Sequence, residues 1–159
     1  MNHAEHYLSP LGNITLTSNG EALTGLFFDE HMLLGRLEEK KLPIFDCAEK
    51  WLDAYFAGRA PDFIPPLSLS ATPFCKSVWE IALSIPYGET TTYGKIAAEI
   101  AQKNGLKTVS ARAVGNALGR NPIALIVPCH RVIGANGRIT GYAAGIDKKV
   151  WLLKHEGVL

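Results

Sequence analysis

Three prolines between residues 58 and 66 (Pro61, Pro65 and Pro66) divide this chain into two stretches that follow different periodicities. Proline lacks the backbone N–H and its ring clashes with the preceding helical turn, so no helix runs through such a stretch and it reads as a linker. Before it, Tyr7 to Thr17 and Ala22 to Phe28 are rich in β-branched and aromatic residues and read as strands, with Asn19-Gly20 between them as a hairpin turn. Residues 44–57 then predict an amphipathic helix with Phe45, Ala48, Trp51, Leu52 and Tyr55 on its apolar side. Leu67-Ser68-Leu69-Ser70 predicts a short strand closing this part.

After the linker the spacing is helical. Phe74, Val78, Ile81, Ala82 and Ile85 share a face, which Pro86-Tyr87-Gly88 ends. Tyr93, Ile96, Ala97 and Ile100 form a second apolar face, broken by Asn104-Gly105. A third helix is expected from Ser110, with Ala111, Val114, Gly115 and Leu118 on its apolar side. Its other face carries Arg112, Asn116 and Arg120 at intervals of four, which places them on one polar stripe. Two short helices joined by a turn and flanked by basic residues suggest a helix-turn-helix, although many helical hairpins only pack a core. The small residues of the third helix suit close approach to another helix or to a nucleic acid groove alike. Gly115 and Gly119 weaken a helix by up to ~1 kcal/mol each, so some other requirement should account for them. The expected fold is therefore α/β (α+β) in two domains, residues 1–71 and 72–159.

Charge follows the same division. Residues 1–71 hold five Lys/Arg against ten Asp/Glu, and residues 72–159 hold eleven against five. A basic half fits a polyanion binder, and it also fits two solvated surfaces of opposite sign. The first ten residues show no basic segment leading into an apolar run, so no secretory signal is expected. No apolar stretch approaches the ~20 residues that span a bilayer. The three cysteines, Cys47, Cys75 and Cys129, are widely spaced, which argues against a disulfide scaffold and suits a reducing cytoplasm.

One segment carries chemistry. Residues 123–127 form an apolar run, expected to be a buried strand, that Pro128 stops; Cys129, His130 and Arg131 follow directly. Cysteine attacks as the thiolate, and an ordinary thiol is only a few per cent ionised at neutral pH, so a reactive cysteine needs a base or a cation nearby. Neighbours in a tight turn need not touch, so His130 would act on Cys129 through a water. Glu156, at a helix end in Trp151-Leu152-Leu153-Lys154-His155-Glu156-Gly157, is a carboxylate able to orient His130 in a Cys–His–Glu triad. Cys47 and Cys75 read as small buried hydrophobes.

Pro128-Cys129-His130-Arg131-Val132 resembles the signature of O6-methylguanine-DNA methyltransferases. The resemblance extends through Tyr93, Ala111 to Gly115, Asn121-Pro122, Gly141-Tyr142 and residues 151–157, and it is close over residues 74–157. It implies a ribonuclease-H-like sheet-and-helix domain followed by a helical domain with the helix-turn-helix. It further implies irreversible, single-turnover transfer of an alkyl group from O6-alkylguanine in DNA to Cys129, leaving O4-alkylthymine open as a second substrate. His130 would be the base, Glu156 its orienting partner and Asn121 the anchor of the preceding turn; Tyr93 would donate toward the departing guanine. Because the lesion must leave the base stack, Arg112 would fill the space behind it. Ser110, Ala111, Ala113 and Gly115 would meet the minor groove, with Ala117 a further small residue there, and Val132, Tyr142, Ala143 and Ala144 would border the lesion pocket. The implied partner is double-stranded DNA, bound by a cytoplasmic monomer with no membrane association, no cofactor and no catalytic metal.

Two departures bear on substrate range: Ala144 stands where many relatives have glycine, and Ala124 where some have proline. Some relatives carry an N-terminal zinc site, for which His3, His6, His31, Cys47 and Cys75 lack suitable spacing. Three other functions fit parts of the sequence. A lesion-recognition module without chemistry would lack the acceptor cysteine. A cysteine hydrolase would leave the Arg112 helix without a purpose. A helix-turn-helix regulator would carry Cys129 only as a structural residue.

Overall fold

The computed structural model describes residues 3–28 and 38–159. The chain divides into two compact units, Met1–Leu69 with Pro122–Ala124, and Ser70–Asn121 with Leu125–Leu159.

In the first unit, strands β1 (His3–Ser9), β2 (Gly12–Ser18), β3 (Leu23–Phe27) and β4 (Glu38–Glu39) form one sheet in the order β3-β2-β1-β4. The first three are antiparallel neighbours, and the short β4 runs parallel to β1. The stretch expected as one strand from Tyr7 to Thr17 is two strands joined by a turn at Pro10-Leu11. Pro10 cannot donate to a ladder, the Ser9 hydroxyl donates to Gly12 O (2.7 Å) and accepts from Leu11 N (3.1 Å), and Gly12 takes a φ of 100°. The Asn19-Gly20 turn joins β2 to β3 as expected, with Asn19 Oδ1 accepting from Glu21 N and Ala22 N. Of residues 67–70 only Leu67 bridges to the sheet, through Leu23, so the short strand expected there is a single bridge.

Helix α1 (Pro43–Phe56) covers this sheet. Pro43 opens it with a fixed φ and no donor to lose, and the apolar residues read from its spacing are buried: Phe45, Ala48, Leu52 and Tyr55 are fully enclosed and Trp51 nearly so. Ile14, Leu16, Leu23 and Leu26 supply the sheet's side of the core. Pro122–Ala124 joins this unit, with Leu26 N donating to Pro122 O (2.9 Å) and Ala124 N to Leu26 O (3.2 Å).

The second unit is built from α2 (Pro73–Leu83), α3 (Tyr93–Lys103), α4 (Ala111–Gly119) and α5 (Ile146–His155), with a two-residue parallel pair of β5 (Thr91–Thr92) and β6 (Val132–Ile133). Each of the first three helices has a hydroxyl N-cap: Thr72 accepts from Cys75 N, Thr92 from Lys95 N and Ser110 from Ala113 N. Asn104 and Gly105, the latter at φ 65°, end α3, and Leu106 N donates back to Ala101 O (2.9 Å) in the manner of a left-handed cap. Trp79 of α2 donates its indole N–H to Ala117 O (2.9 Å), which occupies a carbonyl in the last turn of α4. No helix among the described residues is long and apolar enough to cross a membrane.

Candidate active site

Residues 121–131 form the turn that presents Cys129. The apolar run 123–127 is buried as expected, but it is a turn and not a strand, because Leu125 adopts φ 71°. A β-branched residue would be strained there, and leucine, with its branch one carbon further out, is less so. Asn121 closes the turn. Its amide nitrogen donates to Val127 O (2.9 Å) and to Cys129 Sγ (2.9 Å), so one side chain fixes both the backbone before the cysteine and the sulfur itself. Cys129, His130 and Arg131 make one turn of 3-10 helix and are all buried.

Glu156, the C-cap of α5, gathers this turn. Its Oε2 pairs with His130 Nε2 at 2.5 Å, and its Oε1 accepts from Arg131 Nε (2.7 Å) and from Gly88 N (3.2 Å). Arg131 also donates to Ile85 O (2.8 Å) and lies over the Tyr87 ring. The structure thus brings the sequence-predicted residues His130 and Glu156 into direct contact. Arg131 as a second partner was not anticipated.

Burial decides the protonation of the pair at the turn. It pushes the Cys129 thiol above its ordinary value, although the Asn121 amide, backbone N–H groups and the Lys149 charge pull the other way. It pushes His130 below its ordinary value and outweighs the Glu156 carboxylate. The resting site therefore holds a neutral thiol and a neutral imidazole. With Nε2–H directed at Glu156, the imidazole's Nδ1 is free to accept a proton.

Cys129 opens onto a cavity of about 250 Å³ lined by Tyr93, Gly115, Leu118, Gly119, Gly141, Tyr142 and Ala143. Val132 and Ala144 are not in its wall. Val132 is wholly buried in β6, where its carbonyl accepts from Lys149. Lys149 was missed from the sequence. It is fully buried, and its ammonium donates to Val132 O (2.7 Å), Thr140 O (2.9 Å) and Tyr93 Oη (3.3 Å). It thereby ties β6, the 140–142 loop and Tyr93 together. The signal lay in α5's own spacing, since Lys149, Leu152, Leu153 and Glu156 fall on one face and all are buried. Tyr93 Oη also accepts from Thr140 Oγ1 (3.1 Å).

Helices α3 and α4 form the expected two-helix unit, joined by residues 104–110. Arg112, Asn116 and Arg120 are exposed along one side of α4, as are Ser110 and Ala111, while Ala113 and Gly115 are half-buried. Two expectations for this helix need correction. Ala111, assigned to the apolar side, is exposed because it precedes the first full turn that packs. Ala117, offered as a groove residue, is buried beneath Trp79. Gly115 is not required for packing: a Cβ there would sit 3.8 Å from the Tyr93 ring, an ordinary contact, and one at Gly119 would meet nothing. Both glycines line the cavity instead.

His3 and His6 face Glu38 and Glu39 across the β1–β4 edge (3.9 and 3.3 Å), Cys47 lies on α1 and Cys75 is buried in α2. His31 lies outside the described residues. Among the described residues no group of three or more His, Cys, Asp or Glu could hold a metal ion.

Two family models match the chain: "6-O-methylguanine DNA methyltransferase, ribonuclease-like domain" over residues 3–69 and "6-O-methylguanine DNA methyltransferase, DNA binding domain" over residues 73–158. The chain is 46% identical to a methylated-DNA–protein-cysteine methyltransferase of Methanosarcina acetivorans, covering 94% of each. It is likewise 46% identical to one of Mycobacterium bovis, over 93% of this chain and 88% of the relative. Among solved structures it is similar to Mycobacterium tuberculosis OGT in complex with DNA, with a TM-score of 0.85 and 45% identity over 97% of this chain and 92% of that one. An O6-methylguanine-DNA methyltransferase from Pyrococcus kodakaraensis aligns with a TM-score of 0.71 at 27% identity, over 99% of this chain and 100% of that one. With both halves matched in order and relatives of this identity along nearly the whole length, the chain belongs to the 6-O-methylguanine DNA methyltransferase family.

Proposed function

We propose that this protein repairs DNA by moving an alkyl group from O6-alkylguanine onto Cys129, once per molecule. The observation that carries the reading is the cavity that Cys129 shares with Gly115 and Gly119 of the exposed basic helix α4. A nucleophile at the bottom of a cavity whose rim is a DNA-binding helix suits a substrate rotated out of the duplex.

Each side chain has a role consistent with its contacts. The Cys129 proton passes through a water to His130 Nδ1, and Glu156 holds the tautomer and stabilises the imidazolium that forms. The thiolate, held by the Asn121 amide, attacks the alkyl carbon in line; the C–S bond forms as the C–O6 bond breaks, and that electron pair leaves with the guanine. Tyr93 already accepts from Lys149 and Thr140, so its own O–H is available to the departing base as negative charge develops there. No cofactor enters this balance. A thioether is not regenerated by these groups, so the protein is consumed.

Arg112 enters the space left by the rotated nucleotide, while Ser110, Ala111, Ala113 and Gly115 lie against a minor groove ~6 Å wide. The free state of Cys47, Cys75 and Cys129 favours a reducing cytoplasm.

The test is intact mass after mixing with duplex DNA carrying one O6-methylguanine. A gain of one methylene, mapped to Cys129 and saturating at one per protein, is expected, and Cys129→Ser should abolish it with DNA binding retained. Lesion-selective binding without mass gain would favour recognition without chemistry. Arg112→Ala should slow repair of duplex substrate more than it slows reaction with the free base, and equal losses would remove the intercalating role.

A further inference from the structure

Two polar atoms of the site are buried with no protein hydrogen-bond partner: His130 Nδ1 and the Tyr142 hydroxyl. A buried tyrosine O–H usually finds an acceptor, and leaving one unmade costs roughly 1–3 kcal/mol. These two belong together. The His130 and Tyr142 rings meet edge to face with centroids 6.4 Å apart, and Tyr142 lines the same cavity as Cys129. A buried water is well held only where about two to four polar groups converge. His130 Nδ1 and Cys129 Sγ alone make two, and the Tyr142 hydroxyl makes a third.

We propose that Tyr142 is a positioning residue whose O–H, with His130 Nδ1 and Cys129 Sγ, fixes the water through which the Cys129 proton reaches His130. The inference rests on the alkyl-transfer reading for its purpose, but its geometry does not depend on it. In the resting state the water accepts from Cys129 S–H and Tyr142 O–H and donates one hydrogen to His130 Nδ1. The thiol proton moves to the water oxygen as that hydrogen moves to Nδ1. Afterwards the water accepts from Nδ1–H and Tyr142 O–H and donates the former thiol hydrogen to the sulfur. Tyr142 donates to the same oxygen before and after, so it holds the water's orientation through the step without losing its own proton. Burial first, then the Cys129 thiolate once it forms and the Glu156 carboxylate, keep the Tyr142 phenol protonated well above its ordinary range, so it remains a donor.

The charged and titratable groups facing this water site are Cys129, His130 and Arg131 on the 3-10 turn, Lys149 and Glu156 on α5, and Tyr93 on α3. Tyr142→Phe keeps the ring and removes only the hydroxyl. The experiment is the rate of Cys129 alkylation by iodoacetamide against pH, in wild type and Tyr142→Phe, with Cys47 and Cys75 followed separately by peptide mass. The variant's midpoint should move to higher pH and its neutral-pH rate should fall about tenfold, the scale of one hydrogen bond to the reacting network. A merely structural role would leave the midpoint in place, and an unchanged midpoint overturns the proposal. If Tyr142→Phe does not fold, a high-resolution crystal structure of the wild type decides. A water within hydrogen-bond distance of all three atoms supports the assignment, and a water that does not touch Tyr142 Oη overturns it. Wild-type transfer from methylated duplex, measured in parallel, reports separately on the repair reading.

Discussion

Glu156 receives hydrogen bonds from three separate places: the His130 ring, the Arg131 guanidinium and the backbone of Gly88. Because His130 is neutral at rest, the only full countercharge among these is Arg131. Glu156 and Arg131 are thus a buried ion pair, and removing one member of such a pair typically costs ~3–5 kcal/mol because the other charge is left uncompensated. Glu156→Gln should therefore destabilise the protein by an amount of that order in urea unfolding. It should also slow single-turnover transfer, since an amide donor facing His130 Nε2 favours the wrong tautomer. Adding Arg131→Met should recover much of the stability and none of the transfer rate. A double variant no more stable than Glu156→Gln would mean that Arg131 is not the group left stranded.

Helix α4 has two demands on it that pull in opposite directions. Its two glycines weaken it, yet neither is held by a positive φ or by a neighbour that a methyl would strike. Gly115→Ala should therefore raise stability by up to ~1 kcal/mol, the helix-propensity difference. The same methyl enters the cavity wall and the helix's outward side, so transfer from duplex DNA should slow while melting temperature rises. A variant with both higher stability and unchanged transfer would return Gly115 to an incidental role. The helices were legible in the sequence because periodic apolar residues and hydroxyl N-caps are local signals, as Thr72, Thr92 and Ser110 illustrate. The 121–131 turn was legible only in its residues. Its conformation depends on Leu125 accepting a left-handed φ and on Asn121 spanning to Val127 and Cys129, neither of which a pattern of hydrophobicity records. Lys149 was hidden for a related reason: a lysine is read as solvated, and its burial rests on carbonyls supplied by residues 132 and 140, from a different segment.

For the whole molecule, the opposed shifts at the active site should shape stability against pH. His130 is pushed below its ordinary value near 6.5 in the folded state, so the unfolded chain binds the proton more readily. Stability then falls as pH drops below about 6.5, through the window down to the folded value. Cys129 is pushed above its ordinary value near 9.0, so above about pH 9 the unfolded chain loses the proton first and stability falls as pH rises. Tyr142 adds to this alkaline loss above its ordinary value of 10.0. Melting temperature should be flat between these limits and decline on both sides. Cys129→Ala should remove the part of the decline that begins near pH 9 and leave the acid side untouched. The alkylated protein should behave like that variant on the alkaline side, since a thioether has no proton to lose. Its plateau should nevertheless lie lower, because an added methyl must fit beside His130 in a packed turn. Calorimetric scans from pH 5 to 10.5 on free, alkylated and Cys129→Ala protein separate the two effects. An alkaline decline that survives unchanged in both modified forms would mean that the thiol at 129 is not the group whose burial sets it.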